Sequence, residues 1–158
     1  MCIRDRPDSI QSVCYSYFAR VVLKYAGNDL DQALQISQKV QNDRNRGSLV
    51  SNLLSYFTIV NSLVTFDQTL EVCRNLNTPE LHQRCVGGLA VSLVQSATPG
   101  QEYDRAMQLC KLTNLSNDES KSCYKYAIGH IKPLVSNKQL KAYCAKTPKQ
   151  YISAECTN

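Results

Sequence analysis

The chain has 158 residues, of which 43% are hydrophobic, and carries a net charge of +5. This composition excludes a disordered tail, and the length suffices for one sizeable core or for about four stacked repeats. The mild positive charge is spread along the chain and is densest among irregularly spaced C-terminal lysines, which indicates a solvated surface. No apolar run reaches the ~18 residues of a membrane-spanning helix. We therefore expect neither a nucleic-acid partner nor a membrane span.

Both ends of the sequence indicate a fragment. Met1–Arg6 resemble translated sequencing-adapter sequence, so residues 1–7 are expected to be a non-native leader. Residues 8–158 are expected to form a single helical-repeat domain, in which Cys156 begins a fifth repeat that is cut short. On this interpretation, any signal peptide or fused domain of the longer protein is missing.

Apolar residues at helical spacing predict eight helices and essentially no strand. In the first helix, Val13, Tyr17, Val21 and Tyr25 recur along one face. The predicted helices span residues 9–25, 29–41, 47–61, 66–76, 80–96, 102–112, 118–131 and 138–146.

Clusters of polar residues predict the loops between these helices, and two glycines predict a close contact between helices. Asn42, Asp43 and Asn45 are expected to separate the second helix from the third. Gly87 and Gly88 lie inside the fifth helix, where each costs about 1 kcal/mol of helix propensity against alanine. The expected gain is a close approach to a neighbouring helix.

Cysteine and serine residues recur with a period in the thirties. Near the ends of the even helices, the steps are 36, 37 and 34 residues between Ser37, Cys73, Cys110 and Cys144. In the odd helices, they are 34, 37, 38 and 33 residues between Cys14, Ser48, Cys85, Cys123 and Cys156. Such a period is typical of stacked helical hairpins, so the predicted fold is an all-α, right-handed solenoid of about four hairpins.

An aspartate also recurs, as Asp31, Asp67 and Asp104, near the start of the second, fourth and sixth helices. A carboxylate in the first turn meets free backbone amides and the positive end of the helix dipole, which favours a capping role. The alternative is a repeated acidic ligand along one face.

The cysteines are the one group of residues whose spacing predicts specific chemistry, namely disulfide bonds. Three pairs are separated by 12, 13 and 12 residues, namely Cys73 with Cys85, Cys110 with Cys123, and Cys144 with Cys156. These positions face each other across hairpin connectors, where Cα separations of about 4.4–6.8 Å would allow disulfides. The matching residues of the first hairpin are Ser37 and Ser48, so both cysteines are absent together, as expected of bonded partners. Cys14 needs a partner about a dozen residues upstream. Cys2 lies there, but if the leader is non-native, the true partner is missing from this sequence.

Other interpretations of the cysteines remain open. A repeat could use cysteine simply as a small buried residue. A zinc site is less favoured, because there is no C-x-x-C knuckle and His82 and His130 are the only histidines. His82 precedes Cys85 by three residues, a spacing that allows activation of the thiol, but a helix-packing histidine is favoured. We predict no catalytic, cofactor or metal site, and no enzyme activity.

The even helices resemble a known repeat. The patterns Asp-x-Ala-Leu at Asp31 and Asp-x-Ala-Met at Asp104 resemble the second helix of tetratricopeptide repeats, and Pro79 and Pro148 resemble the closing proline of that family. Disulfide-stapled Sel1-like repeats are a further similar group.

The cysteine-bearing copies are similar to uncharacterised helical-repeat proteins of archaea and little-cultured bacteria. In those proteins, a segment that ends in cysteine is followed by Cys-Tyr and a small residue, as at Cys123, Tyr124 and Ala127. The resemblance implies a helical-repeat fold and no particular reaction.

The expected function is that of a non-catalytic scaffold that binds a protein or peptide partner on a concave surface. Because disulfides persist in oxidising compartments, we expect a periplasmic, surface or secreted location. The alternatives are an accessory domain of a larger secreted or wall-acting enzyme, and a cytosolic tetratricopeptide-like regulator with free thiols. The sequence leaves the partner and the oligomeric state open.

Overall fold

The computed structural model of the chain describes residues 7–60, 65–96, 102–152 and 154–156. Within these ranges the chain is helical and contains no strand. Its helices are α1 (Asp8–Tyr25), α2 (Leu30–Ser37), α3 (Asp43–Val60), α4 (Phe66–Arg74), α5 (Pro79–Ser96), α6 (Glu102–Cys110), α7 (Asn117–Ile131) and α8 (Asn137–Ala145). Short 3-10 turns at Lys132–Leu134, Lys149–Tyr151 and Ala154–Cys156 follow α7 and α8. The all-α prediction is confirmed, and each predicted helix corresponds to an observed one.

The predicted loop between α2 and α3 is wrong in its position. The α2 helix ends at Ser37, earlier than predicted, and α3 already begins at Asp43. The reason is that the Asn42 side chain accepts a hydrogen bond of 3.1 Å from the Asn45 backbone N–H and so caps α3. The polar residues interpreted as a break are thus the start of a helix.

The first-turn position predicted for the recurrent aspartates is confirmed for Asp31 and Asp67. Asp31 and Asp67 lie in the first turns of α2 and α4, where their charge opposes the positive helix end. However, the cap hydrogen bonds come from the N-cap residues before them: Asp29 accepts from the backbone N–H of Gln32, and Thr65 shares a reciprocal capping box with Gln68. The same box begins α7 with Ser116 and Glu119, and α8 with Ser136 and Gln139.

The chain divides within α5 into two compact units, Met1–Cys85 and Val86–Asn158. In the first unit, α1 packs along α3, and α2 packs against both. Their shared core consists of Ala19, Val22, Leu23, Ala26, Ala33, Leu49 and Leu53. Between α3 and α1, Asn45 Nδ2 donates a hydrogen bond of 2.9 Å to Gln11 Oε1, which lies 34 residues earlier in the chain.

The face of α1 that packs into the core is not the face that carries the recurring apolar residues of the predicted first helix. Val13, Tyr17, Val21 and Tyr25 are all exposed. The core side is formed by the opposite face, which includes Ala19 and the residues that follow it at helical spacing.

In the second unit, α7 packs against α6 and α8. Met107, Leu109, Tyr124, Ile128 and Ile131 are among its fully buried side chains. Aromatic contacts and one ion pair add to this packing: Tyr103 meets Tyr143 edge-to-face, Tyr124 stacks on Tyr151, and Lys146 Nζ lies 3.5 Å from an Asp104 oxygen.

Candidate functional site

The three predicted cysteine pairs lie at disulfide-bonding distance. Their Cα separations are 5.6 Å for Cys73–Cys85, 5.5 Å for Cys110–Cys123 and 5.7 Å for Cys144–Cys156. Each value falls inside the range of about 4.4–6.8 Å that a disulfide requires, as the spacing predicted. Each of the first two bridges joins the end of an even helix to the next odd helix, and the third joins α8 to the Ala154–Cys156 turn. Each bridge therefore closes one connector.

The bridges differ in their exposure to solvent. All four cysteines of the first two bridges are buried, whereas Cys144 and Cys156 are half-buried. Cys14 is also disulfide-bonded, and Cys2, which has the spacing of a partner, lies outside the described residues.

Serines occupy the matching positions of the first hairpin. Ser37 is the last residue of α2, and Ser48 lies in the first half of α3. The buried Ser37 hydroxyl donates a hydrogen bond of 2.6 Å to the Leu34 carbonyl, so it satisfies its polar group locally without a partner across the connector.

The disulfide bond at Cys85 leaves no free thiol for His82 to activate. A sulfur held in a disulfide carries no thiolate, so Cys85 is not available as a nucleophile in this state. His82 Nε2 instead lies 2.7 Å from the Leu76 carbonyl oxygen and ties the connector after α4 to the start of α5. Among the described residues, no group of three or more His, Cys, Asp or Glu side chains is arranged to hold a metal ion.

A groove between α2 and α4 is the candidate binding site. It consists of two adjoining cavities of about 410 and 520 Å³ over α3, which share Asp31 and Val72 as lining residues. We call this the α2–α4 groove. All of its lining residues belong to the first compact unit.

The floor of the α2–α4 groove is apolar and its rim is rich in carboxamides. Val50, Phe57 and Val72 supply apolar surface from α3 and α4. The rim carries five side-chain amides, those of Asn28, Gln38, Gln68, Asn75 and Asn77. Gln68 Oε1 already accepts a hydrogen bond from the Thr65 backbone N–H. A carboxamide both donates and accepts hydrogen bonds, so the other amides and the Gln68 NH₂ group can pair with the N–H and C=O groups of an extended peptide.

Charge is unevenly distributed along the groove. Asp29 and Asp31 line the first cavity, and the Asp29 carboxylate is already engaged with the N-terminus of α2. Arg46 lines the second cavity and forms an ion pair with Asp43. The exposed Asp31 is therefore the acidic group that both cavities share.

The predicted helices did not reveal this groove. Asn28, Asn75 and Asn77 occur in connectors, where such residues commonly mark the end of a helix. The available signal was that amides occur in the connectors next to α2 and α4, but only folding brings these connectors to one groove.

None of the helices in the described part of the chain is long and apolar enough to cross a bilayer. Comparison with known protein families, with curated proteins and with solved structures finds no match to the chain.

Proposed function

We propose that the chain is a non-catalytic helical-repeat scaffold that binds an extended peptide, or a peptide segment of another protein, in the α2–α4 groove. The observation that carries this proposal is the combination of an apolar floor with five rim carboxamides. Apolar pockets supply affinity for side chains, while the amides recognise the backbone.

The repeat architecture expected from the sequence is part of the proposal. The hydrogen bond between Gln11 and Asn45 joins residues 34 positions apart, which is one repeat of the sequence pattern. This contact supports a tetratricopeptide-like stacking of successive hairpins into a right-handed solenoid, in which odd helices lie beside each other. Such arrays hold an extended surface for a partner.

The cysteine pairs support a location in an oxidising compartment outside the cytoplasm. Three pairs at bonding distance are difficult to maintain where glutathione and thioredoxin keep thiols reduced. The bridges also agree with a role as a rigid scaffold, because each disulfide bond restrains one connector between helices.

The binding proposal can be tested with a displayed library of random extended peptides, selected on the oxidised full chain. Val72→Glu places a charge on the groove floor and is expected to weaken the selected peptides by about tenfold or more. Asn75→Ala and Asn77→Ala are expected to weaken them by a smaller factor, because each removes one amide at the rim.

Two variants serve as matched controls. Val135→Glu introduces the same charge at a half-buried valine outside the groove, and Gln41→Ala removes an exposed amide outside it. Neither should change peptide affinity, and circular dichroism should show that all variants remain helical. Peptides that bind the Val72→Glu variant as well as the parent protein would contradict the proposed site.

A further inference from the structure

Two side-chain contacts cross between the even helices α6 and α8 of the second unit. The Tyr103 ring meets the Tyr143 ring edge-to-face, with 5.7 Å between the ring centroids. Lys146, the residue that follows α8, has its Nζ atom 3.5 Å from Oδ1 of Asp104 and 5.2 Å from the centroid of the Tyr143 ring. An aromatic contact and an adjoining ion pair therefore connect these two helices.

The sequence repeat relates these four residues to positions in the α2–α4 groove. Counted from the recurring cysteine or serine of each even helix, they lie seven and six residues before it in α6, and one before and two after it in α8. The residues at the same positions of α2 and α4 are Leu30, Asp31, Val72 and Asn75. All four line the α2–α4 groove.

The aspartate is common to both pairs of helices, whereas its neighbours differ in size and charge. Where the second unit has two tyrosines, the groove has the smaller side chains of Leu30 and Val72. Where the second unit has a lysine, the groove has the uncharged amide of Asn75. The groove therefore combines apolar space with a carboxylate that lacks the cation found at the equivalent place in α8.

Asp31 has no cation of its own in the described part of the chain. It is exposed, and no basic side chain of those residues lies within ion-pair distance of its carboxylate. Among the described lining residues, the one basic side chain is Arg46, which Asp43 engages. Asp29 adds a second negative charge near Asp31. A cationic group of a ligand is therefore attracted to this part of the groove, and an acidic group is repelled.

From this internal comparison we propose that the peptide bound in the α2–α4 groove carries a lysine or arginine that pairs with Asp31, and an aromatic residue that packs against Leu30 and Val72. The proposal rests on the proposed function, because it names the kind of peptide that this groove accepts. The peptide supplies in the first unit the two groups that α8 supplies to α6 in the second. Acidic peptides are rejected by the carboxylates, and the groove thereby selects among extended peptides.

The experiment sequences the peptides selected on the oxidised full chain and measures their affinities by fluorescence anisotropy. We expect lysine or arginine, together with an aromatic residue, to be enriched over the unselected library. Asp31→Asn keeps the shape of the side chain and removes its charge, so it should weaken these peptides about three- to tenfold. Glutamine in place of the basic residue of the peptide should weaken binding to the parent protein by a similar factor, and should have little further effect on the Asp31→Asn variant. Asp31→Lys should select acidic peptides instead.

Asp118→Asn is the matched control, because Asp118 is also an exposed aspartate in the first turn of a helix and lies in the second unit. It should leave the affinity unchanged. Peptides that are lost on Val72→Glu but bind the Asp31→Asn variant as tightly as the parent, or that show no enrichment of basic residues, would overturn this inference and leave the proposed groove intact. Peptides insensitive to both substitutions, or a selection that recovers no peptide, would contradict the groove itself and this inference with it.

Discussion

Gly87 of α5 lies so close to Tyr126 of α7 that a Cβ atom at position 87 would be 2.5 Å from Cδ2 of the tyrosine ring and 3.0 Å from the Ser122 hydroxyl oxygen. Real Cβ atoms do not approach other atoms this closely, so any side chain at position 87 would force the Tyr126 ring or the helices to shift. The close helix approach predicted from the sequence is confirmed at Gly87.

Gly87→Ala is therefore expected to destabilise the protein although it improves helix propensity. The gain of about 1 kcal/mol in propensity is opposed by overpacking, which typically costs about 1–3 kcal/mol, because the Tyr126 ring must move. Urea unfolding followed by circular dichroism measures the change.

Gly129→Ala is the matched control for this substitution. Gly129 also lies inside a helix, α7, but no heavy atom would lie within 4 Å of an added Cβ. It should raise the free energy of unfolding by up to about 1 kcal/mol. Equal stabilisation by both alanines would show that α5 and α7 are not held at this separation.

The half-buried Cys144–Cys156 bridge should be reduced before the two buried bridges. Thiol–disulfide exchange requires the attacking thiolate to reach a sulfur atom, and the cysteines of the other two bridges are almost fully covered. Partial reduction with dithiothreitol, alkylation and peptide mapping should find Cys144 and Cys156 labelled before Cys73, Cys85, Cys110 and Cys123. Simultaneous labelling of Cys73 and Cys85 under native conditions would contradict the observed burial.

Replacing Cys110 and Cys123 together by serine should be better tolerated than either single replacement. Loss of one bridge that closes a loop of 13 residues is expected to cost roughly 2–3 kcal/mol. A single replacement adds a reactive orphan thiol, and the first hairpin already has serines at both equivalent positions. Oxidative refolding yields and melting temperatures of the three variants test this. A melting temperature of the parent protein that does not change on reduction would contradict a stabilising role of the bridges.

Protein stability should decrease at alkaline pH partly through Tyr124. Burial raises the pKa of its phenol above the ordinary value of 10.0, and the neighbouring Tyr151 adds to the shift. Both states are protonated well below pH 10, so there the contribution is complete. Above about pH 10 the unfolded chain loses this proton first, so stability falls until the folded-state pKa is passed.

The Tyr124→Phe variant keeps the ring and removes the ionisable group. Denaturant unfolding at several alkaline pH values should show a shallower decrease in stability for this variant than for the parent protein. Tyr25→Phe, at an exposed tyrosine, is the matched control. An identical pH dependence of the Tyr124→Phe variant and the parent would rule out this contribution.

The sequence predicted the features that depend on short stretches of chain. The pairing of Cys73 with Cys85 was predicted from a spacing that recurs in two further pairs and from the two serines at the matching positions of the first hairpin. Helix type and approximate position follow from local apolar spacing. The same reasoning failed at Asn42, because an asparagine that stops one helix and one that caps the next have the same local signature.

Tertiary structure alone decided which surfaces are covered. Periodicity placed Val13, Tyr17, Val21 and Tyr25 on one face of α1, but burial of a face depends on the helices that pack against it, and α3 packs against the opposite face. The α2–α4 groove likewise draws its floor from α3 and α4 and four of its five amides from separate connectors. The hydrophobic effect acts on area removed from water, and that area is defined only when distant segments meet.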